Sequence, residues 1–366
     1  MTRPNPAAGS DTIREILSQP AIWKRCLSAL DESLQLEKLN QAFGKNEELV
    51  FIGCGSSFYL AQIAAATWMI ITGANARAIP ASEILLFPGT LPHPCQPVLI
   101  SRSGYTSEVV EAARYLERQL AIRTLAITCG AETPIESVSA HTIRLAQADE
   151  KSTVMTRSFT SMLLALQALA ATRAGRRDFA DALRALPGQF QSRMEGIHAT
   201  IRMLTNTRGF ADYVFLGQGP FFGVAQESML KVKEMSCSYA QSFHTLEFRH
   251  GPKAIVGPEA LVTFFLSGSG FDAEVALLEE IKELGGTTLA IANSANSAVR
   301  KYADYLIELA LDVPESAQAA AAVVPGQLLG FHTGIRKGYD PDQPRHLTRV
   351  VMLDEGGDGG SKRGAA

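Results

Sequence analysis

Cysteine is scarce, with five residues in a chain of 366: Cys26, Cys54, Cys95, Cys129 and Cys237. The number is odd and no two form a CxxC pair, which argues against a disulfide framework and against a zinc site of familiar spacing. Tryptophan occurs twice, and Trp23 and Trp68 both sit at apolar helical spacing that suits a core. Neither charge sign dominates, because Lys+Arg 34 against Asp+Glu 37 leaves a net charge of −3. Nucleic acid and an anionic membrane surface therefore have no electrostatic footprint here. No apolar run reaches the roughly 18 residues a membrane span needs, and the polar start Met1 to Ser10 carries no signal-peptide core. A cytoplasmic, reducing setting is expected. His93, His141, His198, His244, His332 and His346 form neither HxxxH nor HExxH, so no metal is expected.

What is present describes a globular protein, with 46% hydrophobic and 19% charged residues. Residues 1–44 read as a helical segment, with helical spacing over Thr12 to Leu17 and Ile22 to Leu39. Residues 354–366 read as a disordered, Gly-rich tail. Between them lies an internal duplication. Val50-Phe51-Ile52-Gly53-Cys54-Gly55 returns as Val214-Phe215-Leu216-Gly217-Gln218-Gly219, at an offset of 164. Thr124-Leu125-Ala126-Ile127 returns as Thr288-Leu289-Ala290-Ile291 at the same offset of 164. Ser101, Ser103-Gly104 and Glu108-Val109 return as Ser267, Ser269-Gly270 and Glu274-Val275. The order is kept, which divides the chain into copies at 45–200 and 201–353. Short apolar runs without alternation, separated by amphipathic stretches, predict an α/β fold with parallel sheets covered by helices on both faces. Ligands in such folds sit at the carboxyl ends of strands.

The first Gly-x-Gly turn, Gly53-Cys54-Gly55, lacks the third glycine of a dinucleotide site, since Ser56-Ser57-Phe58 follows. The turn Ser101-Arg102-Ser103-Gly104-Tyr105-Thr106 says more. It follows the apolar run Val98 to Ile100 and opens a helix at Ser107, offering three hydroxyls and backbone N–H groups at a helix N-terminus. A cap needs one hydroxyl; three suit a phosphate. The second copy reads Ser267-Gly268-Ser269-Gly270-Phe271-Asp272, with a carboxylate in place of Thr106. One working phosphate grip is expected, in the first copy.

The second copy contributes a different feature. Glu227, Lys231 and Glu234 lie at i, i+4 and i+7 on one helix face, which on an arbitrary helix would be a solvated ion-pair face. Glu247-Phe248-Arg249-His250-Gly251-Pro252 then places a histidine before a constrained turn.

Together these segments resemble the SIS (sugar isomerase) domain family, in particular the tandem isomerase half of glucosamine-6-phosphate synthase, from about Leu49 to Val351. The segments that carry the likeness are Gly53 to Ser57, Ser101 to Thr106, Glu150 to Thr160, Glu227 to Glu234, His250-Gly251-Pro252, and Lys337-Gly338 with Asp340 to Arg345. The resemblance implies two tandem doubly wound parallel-sheet domains, each a flavodoxin-like three-layer sandwich. It implies that Ser56, Ser57, Ser101, Arg102 through its backbone, Ser103 and Thr106 grip a sugar phosphate. It makes Glu234 the base that shuttles a proton between C1 and C2, and Lys231 its neighbour near the reacting carbon. His250 becomes the ring-opening histidine, reaching the site from the partner of a homodimer. Neither cofactor nor metal is required.

The sequence departs from that pattern too. Arg349 stands where the synthase has a Schiff-base lysine, and a guanidinium forms no imine; Arg349 remains a candidate substrate contact. Arg102 and Tyr105 replace a Gln and a Glu of the synthase loop, and Met155 and Arg157 replace a Ser and a Lys. No glutaminase segment precedes the first copy, and Met1-Thr2 supplies no N-terminal cysteine nucleophile, so glutamine hydrolysis is not expected. The expected activity is an aldose–ketose isomerisation of an amino-sugar phosphate, with release of ammonia from glucosamine 6-phosphate to give fructose 6-phosphate through an enediol. Fructosamine-6-phosphate deglycation, glutamine-independent amination of fructose 6-phosphate, and non-catalytic sensing of a sugar phosphate stay open.

Overall fold

The computed structural model describes residues 8–42 and 48–350. The expected disordered tail, the junction near residue 45 and the end of the second copy lie outside the described residues. Among those described, three helices come first: α1 (Ser10–Leu17), α2 (Gln19–Ser33) and α3 (Gln35–Ala42). The first copy runs β1 (Glu48–Gly53), α4 (Ser56–Thr72), β2 (Ala76–Pro80), α5 (Ala81–Leu86), β3 (Cys95–Ile100) and α6 (Ser107–Arg114). It closes with β4 (Leu125–Thr128), α7 (Pro134–Val138), β5 (His141–Arg144) and α8 (Arg157–Ala174). Helices α9 (Arg177–Gln191) and α10 (Met194–Thr207) lead to β6 (Asp212–Gly217), α11 (Pro220–Ser236), β7 (Tyr239–His244) and β8 (Ala260–Phe265). Then follow α12 (Phe271–Glu283), β9 (Thr287–Ala292), α13 (Ser297–Tyr302), β10 (Tyr305–Glu308) and α14 (Ala319–Arg336).

The two sheets repeat one topology. Strand order is β2-β1-β3-β4-β5 in the first and β7-β6-β8-β9-β10 in the second, with every pair parallel. This is the doubly wound order in which the first strand lies inside the sheet and ligands gather at the carboxyl edge. The apolar runs behave as expected of strands covered on both faces, since β3 and β8 are buried along their whole length. The N-terminal segment divides into more pieces than its periodicity suggests. Leu34 takes a left-handed φ of 50° and breaks α2 from α3.

A shared helical layer joins the copies. Helix α4 packs on α8 and α11, and α11 packs along α14. Ser158 to Ala171 of α8 are buried all round, as are Ala319 to Phe331 of α14; such helices belong between layers rather than on a surface. One continuous hydrophobic core takes in Phe51, Leu60 and Phe159 of the first copy with Phe215, Val232 and Leu328 of the second. Both tryptophans fall in it. Helix α14 carries Gly326, Gly330 and Gly334 along the side facing α11. A Cβ at these positions would meet the Ser228 hydroxyl at 2.1 Å, the Lys231 carbonyl oxygen at 2.6 Å and the Met235 carbonyl oxygen at 2.2 Å. Only a stripe without side chains lets the two backbones come this close.

Candidate functional site

The two Gly-x-Gly turns are superposable devices. Gly55 has φ 54° and ψ −127°, and Gly219 has φ 53° and ψ −128°, each just before its helix. A side chain is strained in that conformation. At Gly53 and Gly217 a Cβ would lie 2.6 Å from the Ser57 backbone and 2.2 Å from the Phe221 backbone, so each glycine lets the helix fold back tightly on its strand. The motif therefore serves the turn, and it presents Ser56 and Ser57 at the carboxyl edge of β1.

The second turn lies beside it. Strands β1 and β3 are adjacent and in register, Ile52 opposite Leu99, so the 54–57 and 101–106 turns emerge at the same edge. The Ser101 and Thr106 hydroxyls are 3.1 Å apart. Gly104 N–H donates to the Ser101 hydroxyl at 3.1 Å, and Tyr105 N–H donates to the Ser103 hydroxyl at 3.1 Å. The hydroxyls are thus ordered by the loop's own amides, with Ser103 and Thr106 partly exposed.

Helix α11 brings the charged face to this edge. Glu227 and Lys231 are fully buried, and the Glu234 side chain keeps 18% exposure. The solvated ion-pair alternative therefore does not hold for this helix. The Lys231 ammonium lies 3.1 Å from Glu227 and 2.5 Å from Glu234, and it donates to the Ser56 hydroxyl at 3.0 Å. That last bond crosses from the second copy to the first. It ties the carboxylate of Glu234 to the end of β1, next to the hydroxyl-rich turn. Burial pushes the Glu227 carboxyl up to about 8, the Lys231 charge opposing and the Glu234 charge adding to the rise. Burial works to lower the Lys231 pKa, but the neighbouring carboxylates win and raise it. Of its two carboxyl neighbours Glu234 lies nearer the Lys231 ammonium.

Arg102 and Arg349 act at the border. The buried Arg102 guanidinium donates to the carbonyls of Ser152 at 3.3 Å, Thr153 at 2.9 Å and Arg349 at 2.8 Å, and lies 3.8 Å from Glu150. Its own carbonyl accepts from Cys129 and Gly130 N–H. The side chain thus fastens the loop before α8 and the C-terminal segment. Ser57 donates weakly, at 3.9 Å, to the sulfur of Met155 in that same loop. Arg349 pairs with Asp149 at 2.7 Å, which places its guanidinium on the chain crossing from β5 to α8. His250 is exposed, at the end of a 3-10 turn over Glu247–Arg249 that packs on β7. His332 lies on α14 against His198 of α10, with ring nitrogens 2.8 Å apart, and not among the residues of the carboxyl edge.

Two residues escaped the sequence reading. Glu15 of α1, 1% exposed, accepts from Lys151 N–H at 2.6 Å and from Ser152 N–H at 3.3 Å, holding the loop that Arg102 holds from the other side. Glu315 accepts from Gly268 N–H and from the Ser269 hydroxyl, in the second copy's version of the hydroxyl turn. Neither stands in a motif; each acts through a contact that only the folded chain creates.

Two stretches, 43–172 and 212–333, match the SIS domain family. The isomerizing glutamine–fructose-6-phosphate aminotransferase of Methanothermobacter thermautotrophicus is 24% identical over 343 residues, 93% of this chain and 57% of that protein. The chain thus spans a little over half the length of such curated relatives. Among solved structures, glucosamine-6-phosphate deaminase from Thermotoga maritima superposes with a TM-score of 0.78 at 29% identity, covering 94% of this chain and 100% of that one. Tagatose-6-phosphate ketose/aldose isomerase from Escherichia coli superposes with a TM-score of 0.81 at 25% identity, covering 93% and 96%.

Proposed function

The chain belongs to the SIS domain family, and from that premise we propose that it is a phosphosugar isomerase acting on an amino-sugar 6-phosphate, with glucosamine 6-phosphate as substrate and fructose 6-phosphate and ammonia as products. The observation that supports this reading is the Lys231–Ser56 bond, which links the helix that carries Glu234 to the end of β1. In this reading Ser56, Ser57, Ser101, Ser103, Thr106 and the Arg102 backbone grip the phosphate, and that remote binding energy positions the reacting carbons. Glu234 takes the proton from C2 and returns it to C1 through an enolamine, the counterpart of an enediol with the amino nitrogen on C2. The Lys231 ammonium stabilises the negative charge that develops on the C1 oxygen of that intermediate. The ketose imine so formed takes up water and loses ammonia. His250 opens the ring from the partner subunit of a homodimer, for which its exposure leaves it available. Release rather than synthesis is supported by the match to the full length of the Thermotoga maritima deaminase. Arg349 closes the C-terminal segment over the site through Asp149.

The test is ammonia release from glucosamine 6-phosphate by the purified protein. Glu234→Gln lowers kcat by about 10²–10⁴, the usual worth of a general base, while leaving substrate binding largely intact. A wild-type protein that liberates no ammonia would overturn the assignment. Deglycation of a fructosamine 6-phosphate is a second reading, favoured by a cavity of about 260 Å³ that Glu234 shares with Cys237, Tyr339, Gln343 and Arg345. A panel of aminated sugar phosphates, assayed for the free amine, separates the two.

A further inference from the structure

Helices α10 and α14 pack side by side, and each turns a histidine toward the other. The Nε2 atoms of His198 and His332 are 2.8 Å apart while the ring centroids are 4.9 Å apart, so the imidazoles meet nitrogen to nitrogen at their edges. One of these nitrogens donates and the other accepts, which leaves room for a single proton between them. A second proton there would set two N–H groups against each other. Arg202, one turn beyond His198 on α10, adds a third basic group, and its charge acts on both rings. Burial is the larger cause that lowers both histidines, His332 to about 4, so the pair is uncharged at neutral pH.

No carboxylate answers this cluster. Among the described residues, the charges that act on the two rings are all positive. Glu195, three residues before His198, is exposed, and Arg336, four residues after His332, extends over Gly209 instead. The carboxylates of the elements packed on α10 and α14 are engaged elsewhere. Asp11 of α1 pairs with Arg14, Glu308 of β10 with Arg300, and Glu227 and Glu234 of α11 with Lys231. Glu315, just before α14, is held by the 268–269 loop. A chain of net charge −3 thus keeps a half-buried basic corner without a counter-charge.

We propose that His198, His332 and Arg202 form a binding site for a small phosphate-type oxyanion, free or as a monoester, separate from the Ser101 to Thr106 turn. Donor groups on three side chains suit an ion with three or more oxygens better than a carboxylate with two, and the guanidinium fork matches phosphate geometry. The ion supplies what the chain lacks, acceptors that let each ring hold a proton on Nε2. The nitrogen-to-nitrogen contact then opens, and both imidazoliums donate charge-assisted hydrogen bonds to the oxyanion. Binding takes up protons, up to two per ion, so affinity rises as the pH is lowered.

Nitrogen-15 NMR of the histidine rings in the full chain provides the test, with His198→Gln and His332→Gln assigning the signals. Inorganic phosphate and glycerol 3-phosphate are the probes, each compared with sodium chloride at equal ionic strength. Phosphate is expected to raise the titration midpoint of the pair by about one pH unit or more, saturably. Arg202→Gln, an exposed position, is expected to weaken that binding at least tenfold. Equal midpoints in phosphate and chloride overturn the proposal, as does a shift that never saturates or one that Arg202→Gln leaves whole. The probe that saturates at the lower concentration tells whether the free ion or the monoester is the ligand. Occupation of the Ser101 to Thr106 turn leaves these ring signals in place, so the two sites succeed or fail separately.

Discussion

Lys231 is buried with two carboxylates and one hydroxyl around it, and such clusters favour the state in which every charge has a partner. The pH dependence of stability follows from Glu227. Its carboxyl is raised from an ordinary 4.5 to about 8, so the folded chain holds a proton that the unfolded chain has released. This contribution to stability is therefore fully present below about 4.5 and is lost as the pH rises through about 8, by at most about 1.4 kcal/mol per pH unit. Glu274, raised chiefly by burial to about 7, acts with the same sign over a lower window. His332, lowered chiefly by burial to about 4, acts oppositely, removing stability as the pH falls from 6.5 toward 4. Between pH 7 and 8.5 Glu227 dominates. Thermal denaturation across that interval shows the wild type losing stability, and Glu227→Gln, which leaves Glu234 to hold Lys231, flattens the curve. An unchanged slope in the variant would show that the proton sits elsewhere. The spacing of Glu227, Lys231 and Glu234 was legible in the sequence as one helix face. Their burial was not, because the same spacing serves a solvated face equally well, and only the approach of α4 and α14 excludes water from it.

At the scale of elements, periodicity foretold α4, α6 and α11 and the strands before them, since each apolar run is bounded by Gly or Ser turns. The close seating of α14 on α11 was not foreseen. Gly326, Gly330 and Gly334 are plain in the sequence, but a glycine stripe has no meaning until the facing backbone is known. Gly330→Ala would push a Cβ to within 2.6 Å of the Lys231 carbonyl, a backbone atom that cannot yield. We expect a destabilisation of about 1–3 kcal/mol, typical of an overpacked core, together with lowered activity as Lys231 and Glu234 move off Ser56. Gly188→Ala in α9 is the control: a Cβ there meets nothing within 4 Å, and the change is neutral or mildly stabilising. Thermal melts and turnover of the two variants side by side decide the matter, and a Gly330→Ala protein that melts with the wild type would sink the argument. The return of Glu315 to the 268–269 loop was hidden for a related reason. The sequence shows Asp272 inside the loop but cannot show a carboxylate that arrives from a distant crossing.

On the scale of the whole molecule, duplication was the most readable fact, and the two sheets of equal strand order bear it out. Their mutual dependence is a property of the fold. The main hydrophobic core runs without interruption through α4, α8, α11 and α14 and is shared by both copies, while each copy adds a smaller core of its own, around Ile52 and Leu99 in the first and around Leu216 and Val262 in the second. Differential scanning calorimetry is expected to give one transition, with van't Hoff and calorimetric enthalpies in agreement; two resolved peaks would mean that the copies melt apart. The same interdependence reaches the ends of the chain. Asp340 accepts from Gly9 N–H at 2.8 Å, and Asp342 accepts from Asp11 N–H at 3.0 Å and Thr12 N–H at 2.8 Å, so the opening turn of α1 is capped from more than 300 residues downstream. On the ribosome, where nascent chains fold from the amino end first, this inverts the schedule. Helix α1 must wait until Asp340 and Asp342 have been made before the amides of its first turn find these acceptors, and a chain cut short before Asp340 leaves that turn uncapped.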